Sequence, residues 1–205
     1  MVRGSLFILA AASGTGKTSL ALALANSLPN MVISVSYTTR MPRSGEVQNQ
    51  SYYFVSTEEF TSLIKQGAFL EYAKVYDHYY GTTRKMVEIA LDSGKDVILD
   101  IDWQGARLIR EQMSCHSIFL LPPSLGELRN RLENRKRETG VILEARMEKA
   151  ISEIKHYTEF DYVVVNRSFD VALKELQSIV LASRLTLKNQ KEHCKKLIND
   201  LILEN

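Results

Sequence analysis

Residues 11–18 read AASGTGKT, which matches the phosphate-binding pattern GxxxxGK(S/T) except that Ala11 stands where the first glycine belongs. The chemistry of such a stretch is anion capture. Successive main-chain N–H groups turn inward to form a cradle, and the helix that follows presents its positive amino end to the same charge. Gly14 and Gly16 let the backbone come close to a phosphate where a Cβ would obstruct it. Lys17 can reach the terminal phosphates of a nucleotide, and the Thr18 hydroxyl can ligate Mg²⁺. Ala11 falls at the end of the preceding apolar run, where ordinary backbone angles suffice, so Ala11, Ala12, Ser13, Gly14, Thr15, Gly16, Lys17 and Thr18 remain together as a candidate phosphate loop.

Three further groups of residues could act on a phosphate. YTTRMPRSGEV (37–47) places Arg40 and Arg43 around Pro42, followed by Gly45 and Glu46 in a turn. Two arginines on a proline-bearing loop suit fork-like recognition of a phosphate monoester, and Tyr52, Tyr79 and Tyr80 can add hydroxyl donors. In LRNRLENRKRETG, Arg131 and Arg135 lie one helical turn apart and share a face, and Arg146 follows after a polar stretch containing Gly140. VILDID ends an apolar run in Asp100 and Asp102. Strand-end acids of this kind either approach a phosphate-bound metal or cap the helix beginning at Trp103 or Gln104, and the two residues can divide these roles. No pairing of nucleophile and base stands out for a covalent intermediate, and the loop by itself leaves functions from ATP hydrolysis to phosphoryl transfer open.

These groups need a scaffold. SLFILA (5–10), DVILDI (96–101), SIFLL (117–121) and YVVV (162–165) are short, continuous and branched, as strands buried on both faces of a parallel sheet should be. Helical spacing runs through 18–28, 83–94, 105–113, 124–138 and 144–157. The alternation predicts an α/β domain with right-handed crossovers. Residues 31–82 break the rhythm with short alternating segments and one obvious helix, EEFTSLIKQG, and read as an insertion on the same core. RLTLKNQKEHCKKLINDLILEN (184–205) reads as a long helix with an apolar stripe through Leu197, Ile198, Leu201 and Ile202, either packed on its own domain or used as a homo-oligomer contact.

With 205 residues, 45% of them hydrophobic, the chain is sized for one domain. A net charge of +2 gives no support to nucleic acid as a partner. Cys115 and Cys194 form no CxxC, and His78, His116, His156 and His193 lack metal-ligand spacing. Cys115, Cys194 and Trp103 read as packing residues. A reducing, cytoplasmic setting fits best. MVRGSLFILAAASG looks like a short signal peptide, but cleavage near Ala12 would destroy the GTGKT behind it. No apolar stretch approaches the ~20 residues of a membrane span.

From about Ser5 to Arg184 the chain resembles the guanylate kinases. The resemblance is carried by SGTGKT, SVSYTTRMPRSGEV, YYFV followed by FLEYA, YYGT, ILDIDWQG, FLLPPS and VVVN. It implies a three-layer phosphate-loop core spanning 4–35 and 84–184, a GMP-binding insertion at about 36–83, a mobile lid at about 128–150 and a helical extension at 185–205. It also implies that ATP phosphorylates GMP, and dGMP too, to the diphosphate with Mg²⁺ as cofactor. Arg40, Arg43, Tyr52 and Tyr80 match the family's ligands for the GMP phosphate, and Ser36 lies close to the base. Glu71 and Thr82 match its guanine readers. A carboxylate accepts guanine N1–H and N2–H₂ while a hydroxyl donates to O6, whereas adenine N1 would confront the carboxylate with a lone pair. Asp100 is implied near GMP and the water shell of a metal held by Thr18. Lys17, Arg131, Arg135 and Arg146 are implied at the transferring phosphoryl group, and Asn166 at the adenine of ATP. Asn134 and Lys136 replace glycines that usually flank the arginine matching Arg135, which bears on lid motion, and Arg167 replaces an acid often found after the asparagine. Two other functions were weighed: a catalytically silent peptide-binding module, which typically lacks the loop lysine and substrate arginines present here, and a kinase for another phosphomonoester, which Glu71 with Thr82 disfavours.

Overall fold

Side chains of the first strand, β1 (Leu6–Ala11), alternate between two hydrophobic layers, as the period of two in a strand requires. Phe7 and Leu9 enter one layer with Leu20, Leu24, Ile98, Ile118, Leu176 and Val180. Leu6 and Ile8 enter the other with Val87, Leu91, Val97, Leu99 and Ile109. In the computed structural model, residues 2–75, 77–136 and 140–203 are described, without the side chains of residues 75, 135, 136 and 203.

β1 is the middle strand of a five-stranded parallel sheet with β2 (Met31–Ile33), β7 (Asp96–Asp100), β8 (His116–Leu121) and β9 (Tyr162–Val165), in the order β2-β7-β1-β8-β9. Helices α1 (Lys17–Ser27) and α7 (Phe169–Arg184) supply the first layer. Helices α3 (Arg84–Asp92) and α4 (Trp103–Gln112) supply the second. Helix α5 (Leu125–Lys136) and helix α6 (Val141–Ile154) form a smaller cluster in which Leu128, Leu132, Leu143, Met147 and Ala150 surround Ala12. A 3₁₀ turn over Lys155–Glu159 follows α6.

A second sheet, of order β4-β3-β6-β5, joins β3 (Tyr37–Thr38), β4 (Tyr53–Phe54), β5 (Phe69–Val75) and β6 (His78–Thr83). Helix α2 (Thr57–Lys65) covers it. Its start is fixed by a reciprocal cap, in which Ser56 accepts from the Glu59 amide and Glu59 accepts from the Ser56 amide. Phe60 of α2 is fully buried and stacks on Phe69 and Tyr79.

The carboxyl-terminal segment differs from the single helix its spacing predicts. α7 stops at Arg184, and two short helices follow, α8 (Leu187–His193) and α9 (Lys195–Leu203). Arg184 is pulled inward, donating to Asp96 Oδ2 at 2.8 Å and to the Pro29 carbonyl at 2.8 Å. Thr186 then restarts the chain in an extended conformation as the cap of α8. Leu197, Leu201 and Ile202 on α9 are exposed, while Ile198 of the same stripe is partly buried.

Asp96 is buried and also accepts the Ser5 amide at 2.7 Å, tying the starts of β1 and β7 to the end of α7. Asp96→Ala strands a buried amide and a guanidinium, so it is expected to cost about 2–4 kcal/mol by urea denaturation. The contact lies at the amino ends of the strands, remote from their carboxyl ends, so substrate KM values should hold.

Candidate active site

The loop after β1, the acids after β7 and Asn166 after β9 gather at the carboxyl edge of the parallel sheet, where open α/β sheets bind ligands. Gly14 and Gly16 both sit at φ 90°, the left-handed region that sequence reading required of this loop. They are also hemmed in. A Cβ at Gly14 would approach Leu132 Cδ2 to 2.9 Å, and one at Gly16 would approach Asn166 Nδ2 to 2.9 Å. Gly16 caps α1 without a side chain, and the first turn carries no acid, which leaves the positive end of the helix dipole uncompensated by this helix's own residues.

Three side chains set the loop's shape. The Thr15 hydroxyl donates to the Ala12 carbonyl at 2.8 Å. Buried Asn166 donates through Nδ2 to the Thr15 carbonyl at 2.7 Å. Arg131 reaches the Thr15 carbonyl at 3.5 Å and the Asn166 carbonyl at 3.4 Å, while Glu127 holds its Nε at 2.8 Å. The Ser13 amide donates to Glu153 Oε2 of α6 at 3.3 Å. Arg131 therefore lies against the loop from above, and Arg146 is half-buried on α6 beside Met147 of the Ala12 cluster. Arg135 follows Arg131 by one turn of α5, with its side chain outside the described atoms.

Lys17, at the start of α1, is held by Asp100 Oδ1 at 2.8 Å and by the Ile101 carbonyl. Asp102 does something else. Its carboxylate accepts the Gly105 amide at 2.8 Å and caps α4. Of the two strand-end acids, Asp102 takes the helix-capping role, while Asp100 pairs with Lys17.

On the second sheet, Glu71 of β5 lies opposite Thr82 of β6, just past a register shift after Phe69. Both are buried. The Thr82 hydroxyl is 3.3 Å from the Ser36 hydroxyl. Burial is the main reason the Glu71 carboxyl is pushed up to about 7, with the Asp102 charge adding to it; the Thr82 hydroxyl, the Thr82 amide and the Lys17 charge pull the other way. Arg40 lies over the Tyr52 and Phe54 rings at 5.4 and 5.7 Å, and Tyr52 meets Tyr80 edge-on at 6.0 Å. Burial, and then the Asp100 charge, raise the Tyr52 phenol above its ordinary value, so it remains a hydrogen-bond donor. Arg43 is exposed, and its main-chain amide donates to Glu46.

Glu46 is the residue that sequence reading passed over. It grips Arg40 through both oxygens, at 2.8 and 2.9 Å, and accepts the Arg43 amide at 2.7 Å, which lowers its own carboxyl. Its spacing from Arg40 and Arg43 was visible; that it would orient the guanidinium required the turn geometry. Trp103 is stacked face to face on His156 at 3.5 Å, with the Arg107 guanidinium 5.0 Å from the centre of its ring, and Cys115 packs against the second core layer with its thiol pushed up to about 11 by burial.

A model of the guanylate kinase family, described as "Guanylate kinase", matches residues 3–183. The chain belongs to the guanylate kinase family. It is 48% identical over 203 residues to the guanylate kinase of Methylococcus capsulatus, covering 98% of this chain and 100% of that one. It is 52% identical over 206 residues to the guanylate kinase of Pasteurella multocida, covering 98% and 99%. The crystal structure of guanylate kinase from Anaplasma phagocytophilum aligns with a TM-score of 0.74 at 36% identity, over 91% of this chain and 89% of that one. Membership in the guanylate kinase family makes the chain an enzyme that phosphorylates GMP to GDP at the expense of ATP. Among the described residues no helix is long and apolar enough to cross a membrane.

On the expectation that Glu71 is the guanine acceptor, its raised carboxyl has a kinetic consequence. Guanine needs an ionised acceptor, and ionisation in the free protein completes only above about 7. KM for GMP is expected to fall about tenfold between pH 6 and pH 8. Titration of the GMP phosphate, with its second pKa near ~6, contributes to that slope, so Glu71→Gln serves as the reference. The Glu71 part is the slope that this variant loses.

Proposed function

We propose that the loop 11–18 holds the triphosphate of ATP while the second sheet holds GMP, and that the γ-phosphoryl group passes directly between them. The observation that carries this reading is electrostatic proximity. Glu71 of the second sheet feels the charges of Asp102 and Lys17, and Tyr52 feels that of Asp100. That the charges beside the donor loop reach the acceptor residues supports placing the two sites next to each other.

Lys17 exchanges Asp100 for the β- and γ-phosphate oxygens. Arg131, Arg135 and Arg146 on α5 and α6 approach the phosphoryl group as it transfers and offset its charge. Arg40, oriented by Glu46, acts with Arg43, Tyr52 and Tyr80 to hold the GMP phosphate in line. Glu71, Thr82 and Ser36 read the guanine. Asn166, which donates to the Thr15 carbonyl, shapes the loop first and borders the adenine second. Residues 128–150 act as the lid and 36–83 as the GMP subdomain, and closure of both keeps water from the phosphoryl group. Since base and phosphate supply these contacts, dGMP is accepted as well.

Among the described residues no three His, Cys, Asp or Glu side chains converge into a metal site, so a divalent ion would be held largely by phosphate oxygens. That suits Mg²⁺, which prefers a few protein ligands beside substrate phosphates. Thr18, next to Lys17 in the first turn of α1, and Asp100 through water would complete its shell. When bound, Mg²⁺ neutralises charge on the β- and γ-phosphates. Two unpaired thiols, Cys115 and Cys194, fit a cytoplasmic setting.

ATP labelled in its γ-phosphate tests the direct route. Label should appear in GDP at the rate of turnover, with none on the protein after quenching. A labelled protein intermediate that forms and decays at that rate would overturn it.

A further inference from the structure

Gly105 sits in the first turns of α4, buried, where a glycine has no local justification. Its φ is not in the left-handed region that only glycine tolerates well, since the positive-φ glycines are others. Alanine is the better helix former at such a place. The reason for glycine must then be space, and the occupant of that space is specific. A Cβ at Gly105 would lie 3.1 Å from Glu71 Oε2 and 3.4 Å from Glu71 Cδ and Cγ. The base-reading carboxylate rests on bare helix backbone.

From this contact we infer that Gly105 is a specificity-determining position, the floor that sets how far the Glu71 carboxylate reaches toward the purine. The inference rests on the reading of Glu71 as the guanine acceptor.

The surroundings decide which partner yields when a Cβ is added. Asp102 caps α4 through the Gly105 amide itself, which fixes the helix at that residue. Gln112, at the other end of α4, donates to the Leu70 carbonyl at 3.0 Å, and its own carbonyl oxygen accepts from Arg84 at 2.5 Å. Leu70 is buried and immediately precedes Glu71. The helix is thus fixed at Gly105 by its own cap and tied through Gln112 to the strand residue beside Glu71. The freest part is the Glu71 side chain, and it moves away from α4, out of register with the N1–H and N2–H₂ pair of guanine.

The experiment compares GMP with IMP, which keeps N1–H and lacks the 2-amino group, in the wild type, Gly105→Ala and Glu71→Ala. Gly126→Ala serves as control, because Gly126 is an exposed glycine of α5 whose added Cβ would meet only Ser124 Oγ at 3.8 Å. Gly105→Ala should raise KM for GMP about tenfold and lower the GMP/IMP ratio of kcat/KM by a similar factor. KM for ATP and kcat at saturation should stay within about twofold, and Gly126→Ala should match wild type. In a Glu71→Ala background, Gly105→Ala should add less than about twofold, because no carboxylate remains to displace. If Glu71→Ala changes the GMP/IMP ratio and Gly105→Ala does not, Gly105 has no part in specificity. If Gly105→Ala raises KM for ATP as much as for GMP, the change is a general disturbance and the inference also fails. An unaltered ratio in Glu71→Ala would instead remove the underlying reading of Glu71.

Discussion

Lys17→Ala is expected to lower kcat by about 10³ or more in an ATP and GMP coupled assay. One part of that loss is the cation that would meet the β- and γ-phosphates. The structure adds a second part. Lys17 is bound to Asp100 Oδ1 at 2.8 Å, so its removal leaves a half-buried carboxylate beside the phosphate loop with nothing to offset it. An approaching triphosphate then meets repulsion where it met attraction, and KM for ATP rises together with the fall in kcat. Asp100→Ala added to Lys17→Ala should recover part of the ATP KM while leaving kcat low, because the repulsion is relieved and the cation is still missing. Turnover of Lys17→Ala within about tenfold of wild type would remove Lys17 from the chemistry.

Glu71→Gln is expected to reduce kcat/KM for GMP by about 10²-fold and the GMP/AMP ratio by about 10²–10³-fold. Glutamine keeps one acceptor, but it turns an N–H₂ toward the base edge. Guanine then faces donor against donor, while adenine finds a donor for N1 and an acceptor for its amino group. The same substitution should stabilise the unliganded protein at pH 8. The carboxyl of Glu71 is raised from 4.5 to about 7 in the folded protein, so the fold holds the proton more tightly than the unfolded chain does. Stability is therefore lost as pH rises from about 4.5 to about 7, and stays lost above it. Glutamine has no proton to lose and escapes that cost, on the order of 1–3 kcal/mol. Thermal melts should show Glu71→Gln above wild type at pH 8, with the gap closing by pH 5. A variant that is more stable and less selective cannot owe its lost selectivity to unfolding. Unchanged discrimination would mean that the base is read elsewhere.

Which parts of this were legible in the chain follows from the range of the forces involved. β1, β7 and β8 announce themselves because a strand buried on both faces must be apolar throughout; YVVV of β9 carries the same pattern but lies at the sheet edge with Tyr162 and Val163 exposed, so its burial on both faces was wrongly expected. β2, with three residues, and β3 and β4, with two each, are too short to impose any pattern, and exist because a neighbouring strand offers them hydrogen bonds. The break between α7 and α8 is likewise set at a distance, by Asp96 and the Pro29 carbonyl drawing in Arg184. In the site, residue types and local spacing marked Gly14, Gly16, Lys17, Arg40 and Arg43, because phosphate recognition constrains those directly. Their partners were hidden. That Asp100 would hold Lys17, Asn166 the Thr15 carbonyl and Gly105 the Glu71 carboxylate depends on how strands and helices from distant parts of the chain assemble. Glu46 is the nearer miss, since it lies beside the arginines it orients and was seen only as part of a turn.

The central claim is that a donor loop and a guanine reader share one cleft in this guanylate kinase family member. One coupled assay tests it most directly, with ATP fixed and GMP, dGMP, AMP, CMP or UMP as acceptor. The expected result is rapid turnover with GMP, measurable turnover with dGMP, and kcat/KM for AMP lower than for GMP by on the order of 10⁴-fold. Comparable rates with GMP and AMP, or ATP hydrolysis that proceeds equally well without any acceptor, would contradict it.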